Sequence, residues 1–152
     1  MRYYLAYGSN LSVAQMAWRC PHARMVGTAE IEGHRLAFRT HATIEPCVGR
    51  RVPVLVWEID EEDERSLDRY EGFPHYYVKR DFDIRLEPFG DPEGSERVTA
   101  MAYVMVQGSK HACEPSRGYL ATIDAGYRTF GFDTRELDAA LEVCEALRRT
   151  TR

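Results

Sequence analysis

No C-x-x-C pair occurs in these 152 residues, and the four cysteines, Cys20, Cys47, Cys113 and Cys144, stand far apart. No cysteine–histidine spacing suits a zinc site, and the five histidines include no pair at helical ligand spacing. A reduced, metal-free protein of the cytoplasm is the expectation. Glycine-rich phosphate loops of the Walker or dinucleotide type are missing, so no cofactor is expected. A basic excess is missing too: a formal net charge of −4 gives no electrostatic footprint for nucleic acid. No apolar run approaches membrane-spanning length, and Gly8-Ser9-Asn10 interrupts the first ten residues where a leader would need an unbroken apolar stretch. There is no repeat, linker or low-complexity segment. The expectation is one domain over residues 1–152 whose partner is a small molecule, with no nucleic acid and no membrane. No signal for an oligomeric state is present.

What the chain does have is an ordinary globular composition, 44% hydrophobic and 29% charged, with nine tyrosines. Tyrosine suits a polar-lined pocket, where the ring packs and the hydroxyl bonds a ligand. It is equally a strand residue, and that is the expectation for most of the nine. Tyr3 to Ala6 reads as a short strand that breaks at Gly8. Ser12 followed by Gln15 is a capping-box signature, placing a helix at about 12–19. Met25–Ile31 and His34–Arg39 read as a hairpin turned at Glu32-Gly33. Ala42–Pro46 reads as a short extended piece, Gly49-Arg50-Arg51 as a turn, and Val52–Ile59 as a strand covered on both faces. Asp60 caps a helix that stops at Gly72. Tyr76–Leu86 and Val98–Val106 form paired strands across a loop at 88–96, and residues 108–114 are a loop. Ser116 starts a helix ending near Gly131, and a second capping box, Asp133 to Glu136, opens the last one. About six strands and four helices without regular alternation predict an α+β fold with a strongly curved sheet or small barrel.

Three stretches can carry chemistry. Tyr7-Gly8-Ser9-Asn10-Leu11 joins a strand to a helix start, a geometry that leaves backbone N–H groups free for an anion or a carbonyl oxygen. Glu71 ends a helix, where the dipole disfavours an anion, and is flanked by Tyr70, Phe73, Tyr76 and Tyr77. That setting raises a carboxyl's pKa towards the range useful for acid–base work. Asp68, one turn earlier, is a rival for the role; a cap or a partner of Arg65 or Arg69 is its plainer reading. Tyr119 falls in the first turn of a helix, where its hydroxyl can either reach a ligand or pack in the core. Ser9 lacks the G-x-S-x-G context of a nucleophile elbow. His111 beside Cys113 is the only nearby histidine that sequence offers any thiol.

Together these stretches resemble the γ-glutamylcyclotransferase-like superfamily, which includes avirulence-induced plant-type proteins and γ-glutamylamine cyclotransferases. The matching residues are Y-G-S-N-L at Tyr7–Leu11, L-D-x-Y-E-G-x-P-x-x-Y from Leu67 to Tyr77, and P-S-x-x-Y from Pro115 to Tyr119. Ala42 to Pro46, Gly49 and the Val54–Trp57 strand resemble the family's middle segment. The resemblance implies a small mixed barrel with flanking helices and a metal-free release of 5-oxoproline from a γ-glutamyl amine or amino acid. It implies Glu71 as the catalytic acid/base, and Tyr7, Gly8, Ser9, Asn10, Leu11 and Tyr119 as substrate-binding residues. The leaving amine is expected near His41, Gly90 and Lys110. A non-catalytic binding or interaction module on the same fold is the alternative.

Overall fold

The computed structural model describes residues 1–106 and 114–150. Five strands close a mixed barrel in the order β1-β3-β2-β4-β5. They are β1 (Arg2–Ala6), β2 (Arg24–Arg39), β3 (His41–Ile59), β4 (Tyr77–Pro88) and β5 (Glu96–Met105). Neighbours run antiparallel except β1 and β5, which meet in parallel with Tyr4 opposite Met101. Four helices flank the barrel: α1 (Val13–Arg19), α2 (Glu61–Glu71), α3 (Arg117–Phe130) and α4 (Arg135–Thr150). None of them is long and apolar enough to cross a membrane.

The strand count is five rather than about six because two turn signals act as kinks inside strands. Gly33, at φ 70°, forms a bulge within β2: the pairing jumps from Glu32–Arg51 to His34–Pro46. A bulge takes the same left-handed glycine that a turn does, and bends the strand instead of ending it. Opposite it, the segment from Cys47 to Arg50 loops out of register, with Val48 fully exposed. The piece expected as merely extended, 42–46, is thus the return half of a long ribbon. Its true turn is Arg39-Thr40-His41. The ribbon's distal half folds across one end of the barrel, and α4 covers Leu36 and Phe38 with Ala140 and Cys144.

Local signals place the helices well. Ser12 caps α1 by accepting the Gln15 N–H at 3.2 Å. Asp60 and Asp63 cap α2 reciprocally, and Gly72 ends it. A cap of this kind contributes about 1 kcal/mol. The start of α4 differs from expectation: Asp133 accepts the N–H of Arg135, while both Glu136 oxygens are held by Arg50 at 2.8 Å. The apolar run of β3 is buried on both faces, Val54, Leu55 and Val56 alike. Closure depends on β2 meeting β4 at only two residue pairs, Gly27–Pro88 and Thr28–Glu87. A Cβ at Gly27 would lie 2.2 Å from the Glu87 carbonyl oxygen, so only glycine allows that approach.

Candidate active site

The chain leaves the end of β1 at Tyr7 and makes a single 3₁₀ turn, Ser9–Leu11, before Ser12 caps α1. The turn's own bonds use the N–H groups of Leu11 and Ser12, and not those of Gly8, Ser9 and Asn10. Other contacts fix the turn on each side. The Asn10 carbonyl accepts from Trp57 Nε1 at 3.2 Å, its amide nitrogen donates to the Tyr4 hydroxyl at 2.9 Å, and its amide oxygen accepts from Arg19. Ser9 Oγ lies 3.0 Å from the Tyr70 hydroxyl. Leu11 points the other way. Its side chain is buried beneath α3, where a Cβ on Gly126 would come within 2.5 Å of it. Leu11, expected as a substrate contact, lines no part of the cavity described next; it anchors the turn to the core.

That cavity, of about 170 Å³, opens at the barrel end where the turn sits. Seven of the nine tyrosines line it: Tyr4, Tyr7, Tyr70, Tyr76, Tyr77, Tyr103 and Tyr119. Here the strand and pocket readings of tyrosine coincide, because Tyr4, Tyr77 and Tyr103 are strand residues with hydroxyls at the barrel mouth. Most of those hydroxyls are already committed. Tyr7 donates to the Tyr103 carbonyl, and Tyr77 donates to the Ala42 carbonyl at 2.6 Å. Tyr119, like Tyr4, accepts instead: its oxygen takes the Ala42 N–H at 3.0 Å. Its own proton therefore remains available to a ligand. Gly8 makes room for this hydroxyl, which a Cβ there would meet at 3.1 Å.

Glu71 is the sole carboxylate among the lining residues, and no lysine or arginine joins it there. Burial raises its pKa to about 7, and the Arg19 guanidinium opposes that rise. Arg19 itself lies over the Tyr70 ring, 3.5 Å from the ring centre. The helix end supplies a further bias, since the negative pole of α2 disfavours the charged form. Among the described residues Glu71 has no hydrogen-bonding side-chain partner. A carboxyl poised near neutrality and left unpaired can accept a proton and return it.

The ribbon's turn completes the rim. Thr40 has φ 69°, a left-handed conformation that costs a β-branched residue on the order of 1–3 kcal/mol. It delivers His41 to the mouth, with Nδ1 3.1 Å from the Tyr76 hydroxyl and the ring edge-on to Tyr119. Of the positions expected around a leaving amine, His41 lines the cavity and Gly90 does not. Lys110 lies outside the described residues, as do His111, Cys113 and most of the 108–114 loop. Sequence reasoning missed Tyr4, Tyr103 and Arg19. Only the number of tyrosines signalled the first two, and nothing local distinguished Arg19. One group of possible metal ligands, His22, Asp60 and Asp63, lies at the start of α2, where both acids already serve the cap and His22 contacts Asp60 at 3.0 Å.

Comparison with known proteins agrees with this architecture. A family model described as "Gamma-glutamyl cyclotransferase, AIG2-like" matches residues 4–122. The chain is similar to a curated "Gamma-glutamylcyclotransferase" of Bos taurus, 26% identical over 140 residues, which are 84% of this chain and 71% of the bovine one. A solved structure named "Gamma-glutamyl cyclotransferase" superposes with a TM-score of 0.72 at 25% identity, over 97% of this chain and 86% of the other. An AIG2-like protein of Mus musculus shares the fold at a TM-score of 0.57 and 20% identity, over 79% and 82% of the two chains.

Proposed function

The chain belongs to the γ-glutamyl cyclotransferase, AIG2-like family, and from that premise we propose that it releases 5-oxoproline from a γ-glutamyl amine or amino acid. The observation that carries the proposal is Glu71, an unpaired carboxyl held near neutrality as the one acid in a tyrosine-lined cavity. In the reaction the substrate's α-amino nitrogen attacks its own γ-carbonyl carbon. The new C–N bond closes a five-membered lactam and the old one breaks to free the amine. Glu71 takes the proton that the attacking nitrogen loses and returns it to the leaving nitrogen, so the enzyme ends as it began. Between the two steps the γ-oxygen carries negative charge. We assign that charge, or the substrate's α-carboxylate, to the N–H groups of Gly8, Ser9 and Asn10, which the turn's own bonds leave unused, and to the hydroxyl proton of Tyr119. Ring closure within one bound molecule needs no second reactant, which suits a cavity of this size.

The test is to incubate the purified protein with a panel of γ-glutamyl amino acids and γ-glutamyl amines and assay 5-oxoproline. Turnover is expected for at least one compound, with Glu71→Gln slower by about 10²–10⁴-fold. Full turnover by Glu71→Gln would remove the acid/base role. A panel in which nothing turns over, but one compound raises the melting temperature, would favour a binding module instead.

A further inference from the structure

Helix α2 carries three acids on one face at successive turns, Glu64, Asp68 and Glu71. The first two are neutralised together and the third is not. Lys79 of β4 reaches between Glu64 and Asp68, at 2.6 and 2.9 Å. Asp68 also accepts the Tyr103 hydroxyl of β5 at 2.6 Å. It therefore pairs with neither Arg65 nor Arg69. Glu64 passes the contact on to Arg2 at 2.9 Å, and Arg2 to Asp81 at 3.2 Å. The chain of charges runs from the surface to the wall of the tyrosine-lined cavity. Lys79 does one thing more: its ammonium lies 4.4 Å from the centre of the Phe73 ring, just beyond the end of α2.

These contacts meet at one place, the last turn of α2. We propose that Asp68 is a positioning residue for Glu71: with Tyr103 and Lys79 it clamps the end of α2 onto β4 and β5 and so holds the Glu71 carboxyl inside the tyrosine cage. Asp68 lines no part of the cavity and touches no reacting atom, so it acts through Glu71. Tyr103 gives the clamp its reach. Its hydroxyl is fixed by Asp68, its ring meets Tyr4 edge-on at 5.9 Å, and its carbonyl accepts the Tyr7 hydroxyl. A single carboxylate on the outer side thus orders two walls of the cavity. Lys79 loses some basicity to burial, but its bonds to Glu64 and Asp68 outweigh that and leave its pKa raised, so it stays charged throughout the working range. The titratable and charged groups around Glu71 itself are Arg19 of α1, Tyr4 of β1, Tyr7, His41 of β3, Tyr70 of α2, Tyr76, Tyr77 of β4, Tyr103 of β5 and Tyr119 of α3. Of these only Tyr103 belongs to the clamp, and Arg19, the one permanent charge among them, lies outside it and keeps its opposing pull when the clamp is cut.

If the clamp is released, water reaches Glu71 and the burial that raises its pKa is lost. The consequence for turnover rests on the cyclotransferase reading; the consequence for titration does not. The experiment follows the Glu71 carboxyl carbon by NMR from pH 4 to pH 9 in the wild type, Asp68→Ala, Asp68→Asn and Lys79→Met, and measures 5-oxoproline release in parallel. The wild-type midpoint is expected at about 7, falling in Asp68→Ala towards the ordinary range near 4.5. Asp68→Asn, which can still bond Tyr103, should fall between them. In turnover, Asp68→Ala is expected to lower kcat about tenfold, with the acid limb of the kcat/KM profile moving to lower pH by the same amount as the NMR midpoint. An unchanged Glu71 midpoint in a folded Asp68→Ala would overturn the clamp. Should that variant fail to fold, the same comparison is made with Lys79→Met, where an unchanged midpoint again overturns it. If the wild type releases no 5-oxoproline from any γ-glutamyl compound, the cyclotransferase reading fails while the titration still decides the clamp.

Discussion

Two concavities among the described residues differ in how their charges are paired, and the larger is the more evenly balanced. The groove between the ribbon's proximal half, the edge of β4 and the start of α4 has a volume of about 540 Å³, against about 170 Å³ for the tyrosine-lined cavity. The groove is rich in charge, with five arginines and six acids. Four of those arginines are already spent on neighbouring carboxylates: Arg50 on Glu136, Arg51 on Glu30, Arg85 on Glu87 and Arg135 on Asp133. The smaller cavity holds one carboxyl and leaves it unpaired. A paired charge has its proton affinity fixed far from neutrality, whereas a buried single one is pushed towards it. A proton affinity near neutrality at Glu71 follows from this imbalance, not from volume or from the number of ionisable groups.

The contrast is sharpest at Tyr119, whose donor proton is uncommitted. Tyr119→Phe keeps the ring and removes that donor, and is expected to lower kcat/KM by about a hundredfold. A loss confined to thermal stability, with kcat/KM unchanged, would return Tyr119 to a purely structural role. The pH dependence comes next. A base with its pKa at about 7 must lose its proton to act, so activity should be lost as pH falls through 7 rather than through the ordinary range near 4.5. Stability should run the other way. Because the folded-state pKa is raised, the folded protein binds more protons than the unfolded one between about 4.5 and 7, and Glu71 destabilises the fold increasingly over that window. Glu71→Gln should therefore raise Tm more at pH 8 than at pH 5; an equal rise at both would contradict the raised pKa. The smallest effect on catalysis belongs to the groove. Arg50→Met strands the buried Glu136 and should cost on the order of 1–3 kcal/mol of stability while leaving kcat as it was. A fall in kcat there would break the division between the two regions.

The parts of this arrangement that depend on neighbours in sequence were legible. Ser12, Asp60 and Ser116 cap the helices as their spacing predicts, because a cap is a bond across three residues. Glu71 at a helix end among aromatics was readable for the same reason. The β2–β3 ribbon was not. A glycine with positive φ serves a bulge and a turn equally, and only the partner strand decides between them. Nor was the tyrosine cage legible residue by residue. Tyr4 and Tyr103 meet because β1 lies beside β5 in parallel, a pairing between chain segments about a hundred residues apart that no local pattern encodes. Leu11 was misplaced because a motif's members share a sequence window without sharing a direction: the 3₁₀ turn aims Ser9 and Asn10 at the cavity and Leu11 at α3.

The seam at Gly27 has a consequence for how the ring behaves as an object. A cylinder buttoned at two residue pairs is only as tight as its button. The seam between β1 and β5 is narrower still, a single pair at Tyr4–Met101, whereas the ladder between β4 and β5 runs ten pairs and tolerates the loss of one. Position 27 is thereby bound by another strand's backbone and not by any role of its own, and even one added methyl group would hold the two edges apart. The most demanding residue for keeping the vessel shut is one that contributes no side chain at all.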